Sequence, residues 1–103
     1  MTVPQARDNL RTMILILQAQ GARVLLVREA VAPDPSVLED YGRMLARLGE
    51  ERDVGYLDAA SVMVQPTSGD LFLDDCHLTW AGHVVLARLV ADALVQRGWI
   101  APR

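Results

Sequence analysis

The densest group of reactive side chains in this 103-residue chain is the run Asp74-Asp75-Cys76-His77. A carboxylate three residues before a histidine on a tight turn can accept the proton of the ring nitrogen Nδ1. The other ring nitrogen, Nε2, is then the base that can take a proton from a hydroxyl group. The spacing of Asp74 and His77 therefore predicts the acid and base members of a nucleophilic triad.

Rival interpretations exist for each reactive side chain of this segment. Asp74 and His77 could be solvated surface groups beside a helix N-terminus, and Asp75 is expected to be one. Cys76 could be a thiolate nucleophile, because thiolates form more readily at helix N-termini. His83, four residues into the next helix, is expected to be structural. A zinc site of Asp74, Cys76, His77 and His83 is a further alternative, although its spacing fits no familiar zinc module.

The elements that must position this segment follow the order helix, strand, helix, strand, loop, helix. Helical spacing predicts helices over about 4–20, 35–52 and 79–97. The segment 24–27 is a short continuous apolar run, typical of a parallel strand covered on both faces, and 54–57 is predicted to be a second short strand. A strand, a helix and a parallel strand in this order form a right-handed crossover. The sequence therefore predicts an α/β fold with parallel strands.

Particular residues mark where these elements begin and end. Gly21 and Gly98 are placed to terminate the first and last helices, where the backbone adopts a left-handed conformation. Asp34 and Thr79 are placed to cap the second and last helices at their N-termini. Residues 65–70 are predicted to form a loop. The apolar side chains of the last helix are expected to be buried: Val85, Leu86, Leu89, Val90, Ala93 and Leu94.

Two strands alone do not complete a buried parallel sheet, since sheets typically contain about five or six strands. Residues 1–103 are therefore predicted to form a single incomplete domain. The missing strands would come from an upstream segment of a longer protein, from a partner chain or from self-association.

Composition excludes several classes of function. The net charge is −3 and the cations are spread along the chain, so nucleic acid is not an expected partner. All 10 cationic residues are arginine, which excludes chemistry that depends on lysine. Cys76 is the single cysteine and cannot form an internal disulfide. No apolar run is long enough for a signal peptide or a membrane span, so a cytoplasmic location is the default expectation.

The segment from Asp74 onward resembles a known family in more than the spacing of two residues. Upstream, Asn9-Leu10, 24–27 and 41–58 are similar to the C-terminal half of the same family's domain, so that the resemblance runs from about Asn9 to Leu94. The family is the SGNH (GDSL-type) esterases and acylhydrolases, whose last conserved block is matched by Asp74-x-x-His77 and Leu78-Thr79-x-x-Gly82-His83.

This resemblance implies a fold, a reaction and roles for two residues. The fold would be an incomplete flavodoxin-like three-layer α/β/α domain of the SGNH hydrolase type. The reaction would be hydrolysis of a small-molecule ester through an acyl-enzyme, without a metal or a cofactor. His77 would be the general base and Asp74 the residue that orients its ring.

The chain lacks the other motifs of that family. The family's nucleophilic serine lies in a Gly-Asp-Ser motif, whereas Gly69-Asp70 is followed here by Leu71. Asn9, the one asparagine, does not match the Gly-x-Asn block of the oxyanion hole. We therefore expect these residues alone not to hydrolyse esters, with the serine supplied by an upstream segment or another chain. Three serines carry no nucleophile motif: Ser36, Ser61 and Ser68.

A noncatalytic function is the main alternative. The chain could be an interaction or relic α/β module that docks on another chain, which predicts exposed apolar surface at the open edge of the sheet. A metal-dependent hydrolase is a third interpretation. Arg28 and Glu29 follow the first strand and could form either a solvated pair or, through the arginine, a contact to substrate.

Overall fold

A computed structural model describes residues 1–29, 36–51, 53–64, 68–74 and 77–102. Among these residues, β1 and β2 form a two-stranded parallel sheet, which confirms the α/β class. The elements in chain order are α1 (Val3–Ala19), β1 (Val24–Arg28), α2 (Ser36–Leu48), β2 (Val54–Asp58), α3 (Ala59–Met63), a 3-10 helix (Ser68–Leu71) and α4 (Trp80–Gln96).

The chain divides into two compact units. The first contains residues 1–27 and 36–56, which include α1, α2 and most of both strands. The second contains the described residues of 28–35 and 57–103, which include α3, the 3-10 helix and α4. The single incomplete domain expected for residues 1–103 stays a prediction.

Helix α1 begins one residue earlier than its apolar pattern indicates, because Thr2 forms a capping box with Gln5. The Thr2 hydroxyl accepts a hydrogen bond from the Gln5 backbone N–H at 3.2 Å. The Gln5 side-chain oxygen accepts one from the Thr2 N–H at 2.8 Å. These bonds satisfy two donors that a helix start otherwise leaves unpaired. After the helix, Gly21 has a φ of 84°, the left-handed conformation expected for it.

The first unit has a core of apolar side chains contributed by both helices and both strands. Burying one Leu, Ile or Val side chain fully stabilises a fold by about 1.5–3 kcal/mol. The Tyr41 hydroxyl also donates a hydrogen bond to the Met1 carbonyl at 2.8 Å, which joins the start of α1 to α2. The buried core residues are Ala6, Ile14, Leu26, Met44, Leu48 and Val54.

The second helix is shorter than predicted. It ends at Leu48 and not near residue 52. The chain turns at Gly49, where a Cβ atom would overlap the Tyr56 side chain, so the close approach of β2 requires glycine. Its predicted cap, Asp34, lies outside the described residues.

The strands extend one residue further than predicted, to Arg28 and Asp58. Leu26 is buried in β1 and the other four residues of the strand are half-buried, so the strand is only partly covered. Among the described residues the sheet has two strands, and each strand therefore has one edge that no other strand covers.

The second unit contains a helix that the sequence pattern did not indicate. Helix α3 buries Ala59, Ala60 and Met63. It starts at Asp58, whose carboxylate accepts a hydrogen bond from the Ser61 backbone N–H at 3.0 Å. Asp is a favoured N-cap residue, so its place at the end of β2 was the available signal.

The apolar face of α4 is only partly covered, which corrects the expectation that it is buried. Within the described chain, α4 packs mainly on α3 and the 3-10 helix, both too short to cover a 17-residue helix. Gly98 follows α4 with a φ of 72°. The half-buried side chains are Val85, Leu86, Leu89, Val90, Ala93 and Leu94.

Within the part of the chain that the structure describes, no helix combines the length and the apolar character needed to cross a bilayer.

Candidate active site

Asp74 and His77 lie at the end of a small antiparallel hairpin, in which Phe72 and Leu78 pair. The Leu73 N–H donates to the His77 carbonyl at 2.8 Å. This bond and the pairing of Phe72 with Leu78 join the two arms. They therefore fix the backbone position of His77. The arms are 71–74 and 77–79, and the residues between them lie outside the described chain.

The Asp74 carboxylate contacts His77 at both the ring and the backbone. The ring nitrogen Nδ1 lies 2.9 Å from Oδ1 and 2.8 Å from Oδ2 of Asp74. The His77 backbone N–H donates to Oδ1 at 2.8 Å. The structure thus contains the Nδ1-to-carboxylate contact that the spacing predicted. A ring that donates from Nδ1 carries its basic lone pair on Nε2.

Both members of this pair are accessible to solvent. The side chains are 71% exposed in His77 and 57% exposed in Asp74. Exposed ion pairs contribute at most about 1 kcal/mol to stability, since water screens them. The contact therefore matters mainly for the orientation and tautomer of the ring and for its access to a reacting group.

Thr79 begins α4 and confirms the predicted cap. Its hydroxyl oxygen accepts a hydrogen bond from the Gly82 N–H at 3.1 Å. The same hydroxyl donates to the Asp70 carbonyl at 2.6 Å, and the Thr79 N–H donates to the Leu71 carbonyl at 2.9 Å. Sequence reasoning missed these two contacts with Asp70 and Leu71, because a threonine at position 79 indicates only a helix cap.

Gly82 lies where the hairpin meets α4. A Cβ atom there would overlap the Leu71 carbonyl oxygen and lie 3.0 Å from the Leu78 Cβ. Only glycine allows the backbone of one arm to approach the first turn of the helix this closely.

A second polar cluster in this unit involves a serine. The Ser61 hydroxyl donates to Asp58 Oδ2 at 2.6 Å, so the described contacts of Ser61 are those of a residue in a capped helix start. Arg28 lies 3.6 Å from the same carboxylate, and the Arg28 and Asp58 side chains are 26% and 30% exposed. Arg28 therefore pairs with Asp58, and Glu29 is exposed. Nothing is described of the side chains of Ser36 and Ser68.

The remaining candidates are either exposed or outside the described residues. His83 is exposed on α4, and its backbone N–H donates to the Thr79 carbonyl at 2.9 Å. Asp75 and Cys76 lie outside the described residues, so the thiolate and zinc alternatives stay untested. In the described chain, no group of three or more His, Cys, Asp or Glu side chains is arranged to hold a metal ion.

No protein-family model, curated protein or solved structure compared with this chain matches it. The resemblance to the SGNH esterases therefore rests on the quoted residues alone.

Proposed function

We propose that Asp74 and His77 are the acid and base members of an ester-hydrolysing site of the SGNH type. The observation that supports this most is the contact of Nδ1 with both carboxylate oxygens on a solvent-accessible hairpin. The serine and the oxyanion-hole donors would come from an upstream segment of a longer polypeptide or from another chain. The chain described here would be inactive alone.

The reaction would proceed in two stages, formation and hydrolysis of an acyl-enzyme, and one ring nitrogen of His77 would transfer the proton in both. His77 Nε2 takes the proton of the serine hydroxyl as its oxygen attacks the ester carbonyl. The resulting imidazolium gives this proton to the leaving alcohol, and an acyl-enzyme remains. Water then attacks the acyl group with the same nitrogen as base, which releases the carboxylic acid and restores the serine. Asp74 keeps the ring in the required tautomer throughout.

The proposed fold is an incomplete flavodoxin-like α/β/α domain. The two parallel strands, with helices before and after each of them, support the general α/β class from which this proposal starts. Additional strands would pair with the uncovered edges of β1 and β2 and so complete the sheet.

The test uses the protein isolated from its natural source. Its intact mass decides whether these residues belong to a longer polypeptide, and sequencing of any added residues shows whether they contain a Gly-Asp-Ser segment or whether a partner must supply the serine. In that complete protein, His77→Ala should reduce turnover of p-nitrophenyl acetate by about three orders of magnitude or more. His83→Ala is the matched control and should leave turnover unchanged. Undiminished activity in His77→Ala would refute the proposal.

A second candidate function, a noncatalytic module that docks on another chain, is favoured by exposed apolar side chains, which lie on α1 and not at the sheet edge where they were expected. In this case the isolated chain should self-associate, and Ile16→Ser should weaken the association. Sedimentation velocity measures this, and a monomer at every concentration tested would exclude self-association. The exposed side chains are Met13, Leu15, Ile16 and Leu17.

A further inference from the structure

We infer that Thr79 is a positioning residue for His77 and acts on it through the hairpin formed by 71–74 and 77–79. Thr79 supplies no reacting atom in the proposed mechanism. Its importance for catalysis rests on the proposed function, whereas its effect on the ring can be measured without any turnover.

The orientation of the His77 ring depends on its contact with Asp74. A side chain that is 71% exposed has little packing to fix it. The Asp74 carboxylate, whose oxygens lie 2.9 and 2.8 Å from Nδ1, is therefore one of the groups that orient it. Asp74 lies on the opposite arm, so the distance from Nδ1 to the carboxylate depends on the alignment of the two arms.

Thr79 fixes this alignment at the base of the hairpin. Its N–H donates to the Leu71 carbonyl of the other arm at 2.9 Å, and its hydroxyl donates to the carbonyl of the preceding residue, Asp70, at 2.6 Å. Two bonds from one residue to neighbouring carbonyls restrict both sliding and opening of the arms. His77 is two residues away on the same arm.

The Thr79 hydroxyl also joins the hairpin to a long helix. It accepts the Gly82 N–H at 3.1 Å, and α4 extends from Trp80 to Gln96. A hydroxyl can donate one hydrogen bond and accept others at once, which neither a carboxylate nor an alkyl group can do. Thr79 therefore performs two separable tasks, capping α4 and holding the Asp70 carbonyl.

Three substitutions in the 103-residue chain separate these tasks. Thr79→Ser keeps both the donor and the acceptor. Thr79→Val removes both. Thr79→Asp keeps a good N-cap acceptor but cannot donate to the Asp70 carbonyl. It therefore distinguishes the effect of losing the bond to Asp70 from the effect of losing the N-cap.

The readout is the ratio of the Nδ1-protonated to the Nε2-protonated tautomer of neutral His77, from the nitrogen chemical shifts of the ring. His83, exposed on α4, provides the internal reference. We expect Thr79→Ser to keep the wild-type ratio, and Thr79→Val and Thr79→Asp to lower it by about tenfold, the effect of losing about one hydrogen bond. The His83 ratio should not change in Thr79→Ser; in the other two variants it reports on the first turn of α4, because the His83 N–H donates to the Thr79 carbonyl.

Two results would overturn the inference: a wild-type ratio in Thr79→Val, or restoration of the ratio by Thr79→Asp, which would make the hydroxyl a helix cap only. The proposed function fails separately. If the Thr79 variants behave as expected while His77→Ala keeps full activity in the complete protein, the positioning role stands and the esterase proposal does not.

Discussion

The core of the first unit and the hairpin of the second are stabilised in opposite ways. Leu48 and Val54 are each 2% exposed and are held by apolar contacts in all directions. Asp74 and His77 are largely exposed, and backbone and carboxylate hydrogen bonds set their positions. The residues on which stability depends most are therefore different from the residues that could do chemistry.

The largest loss of stability is expected in the core. Leu48→Ala should lower the free energy of unfolding by about 2–5 kcal/mol, because it removes buried contacts and leaves a cavity. Leu15→Ala, at a position that is 60% exposed, should change it by less than about 0.5 kcal/mol. Urea titration measures both variants. Similar losses would show that the first unit is not organised around this core.

The next largest effect is expected at the base of the hairpin. Gly82→Ala should cost about 1–3 kcal/mol, because its Cβ would displace the Leu71 carbonyl and strain the first turn of α4. Gly21→Ala is the control: it meets no atom within 4 Å and adds only left-handed strain of about 1–2 kcal/mol. Amide hydrogen exchange distinguishes the two, since only Gly82→Ala should expose the Thr79 N–H. Unaltered exchange there contradicts the close approach.

A smaller effect is expected at the start of α1. Thr2→Ala removes the hydroxyl half of the capping box and should lower the free energy of unfolding by about 1 kcal/mol. Thr12→Ala, in the middle of the same helix, should have less than half this effect, because alanine favours helix interiors. Thermal unfolding followed by circular dichroism compares them, and equal effects would mean that the capping box contributes nothing.

The smallest effect on stability, and a large effect on chemistry, is expected at Asp74. Asp74→Asn should change the free energy of unfolding by less than about 1 kcal/mol, because the pair is exposed. In the complete protein it should lower kcat by about four orders of magnitude, since the ring would lose its orientation and tautomer. Chemical denaturation and ester turnover are measured on the same preparation. A stability loss as large as that of Leu48→Ala would remove the contrast between the two regions.

The sequence predicted those features that depend on neighbouring residues. The apolar runs located both strands, and the spacing of Asp74 and His77 predicted their contact, because the residues involved lie close along the chain. Helix α3 was missed because its five residues are too few to show a helical period.

Features that depend on contacts between distant residues were not predicted. The burial assigned to the apolar face of α4 assumed neighbours that the described chain does not contain. The bond from Thr79 to Asp70 joins residues nine positions apart, and no residue pattern signals it. The catalytic roles of Asp74 and His77 stay a prediction, because a contact between two side chains does not identify a substrate.

The close approach of the Leu71 carbonyl to Gly82 also determines which amino acids position 82 can accept. Every other amino acid carries a Cβ atom, so each replacement must displace a backbone group, whatever its polarity or charge. A library with all amino acids at position 82, selected only for folded chains, should therefore return glycine more often than any other residue. The same library at Ala87, exposed on α4, should return many residue types.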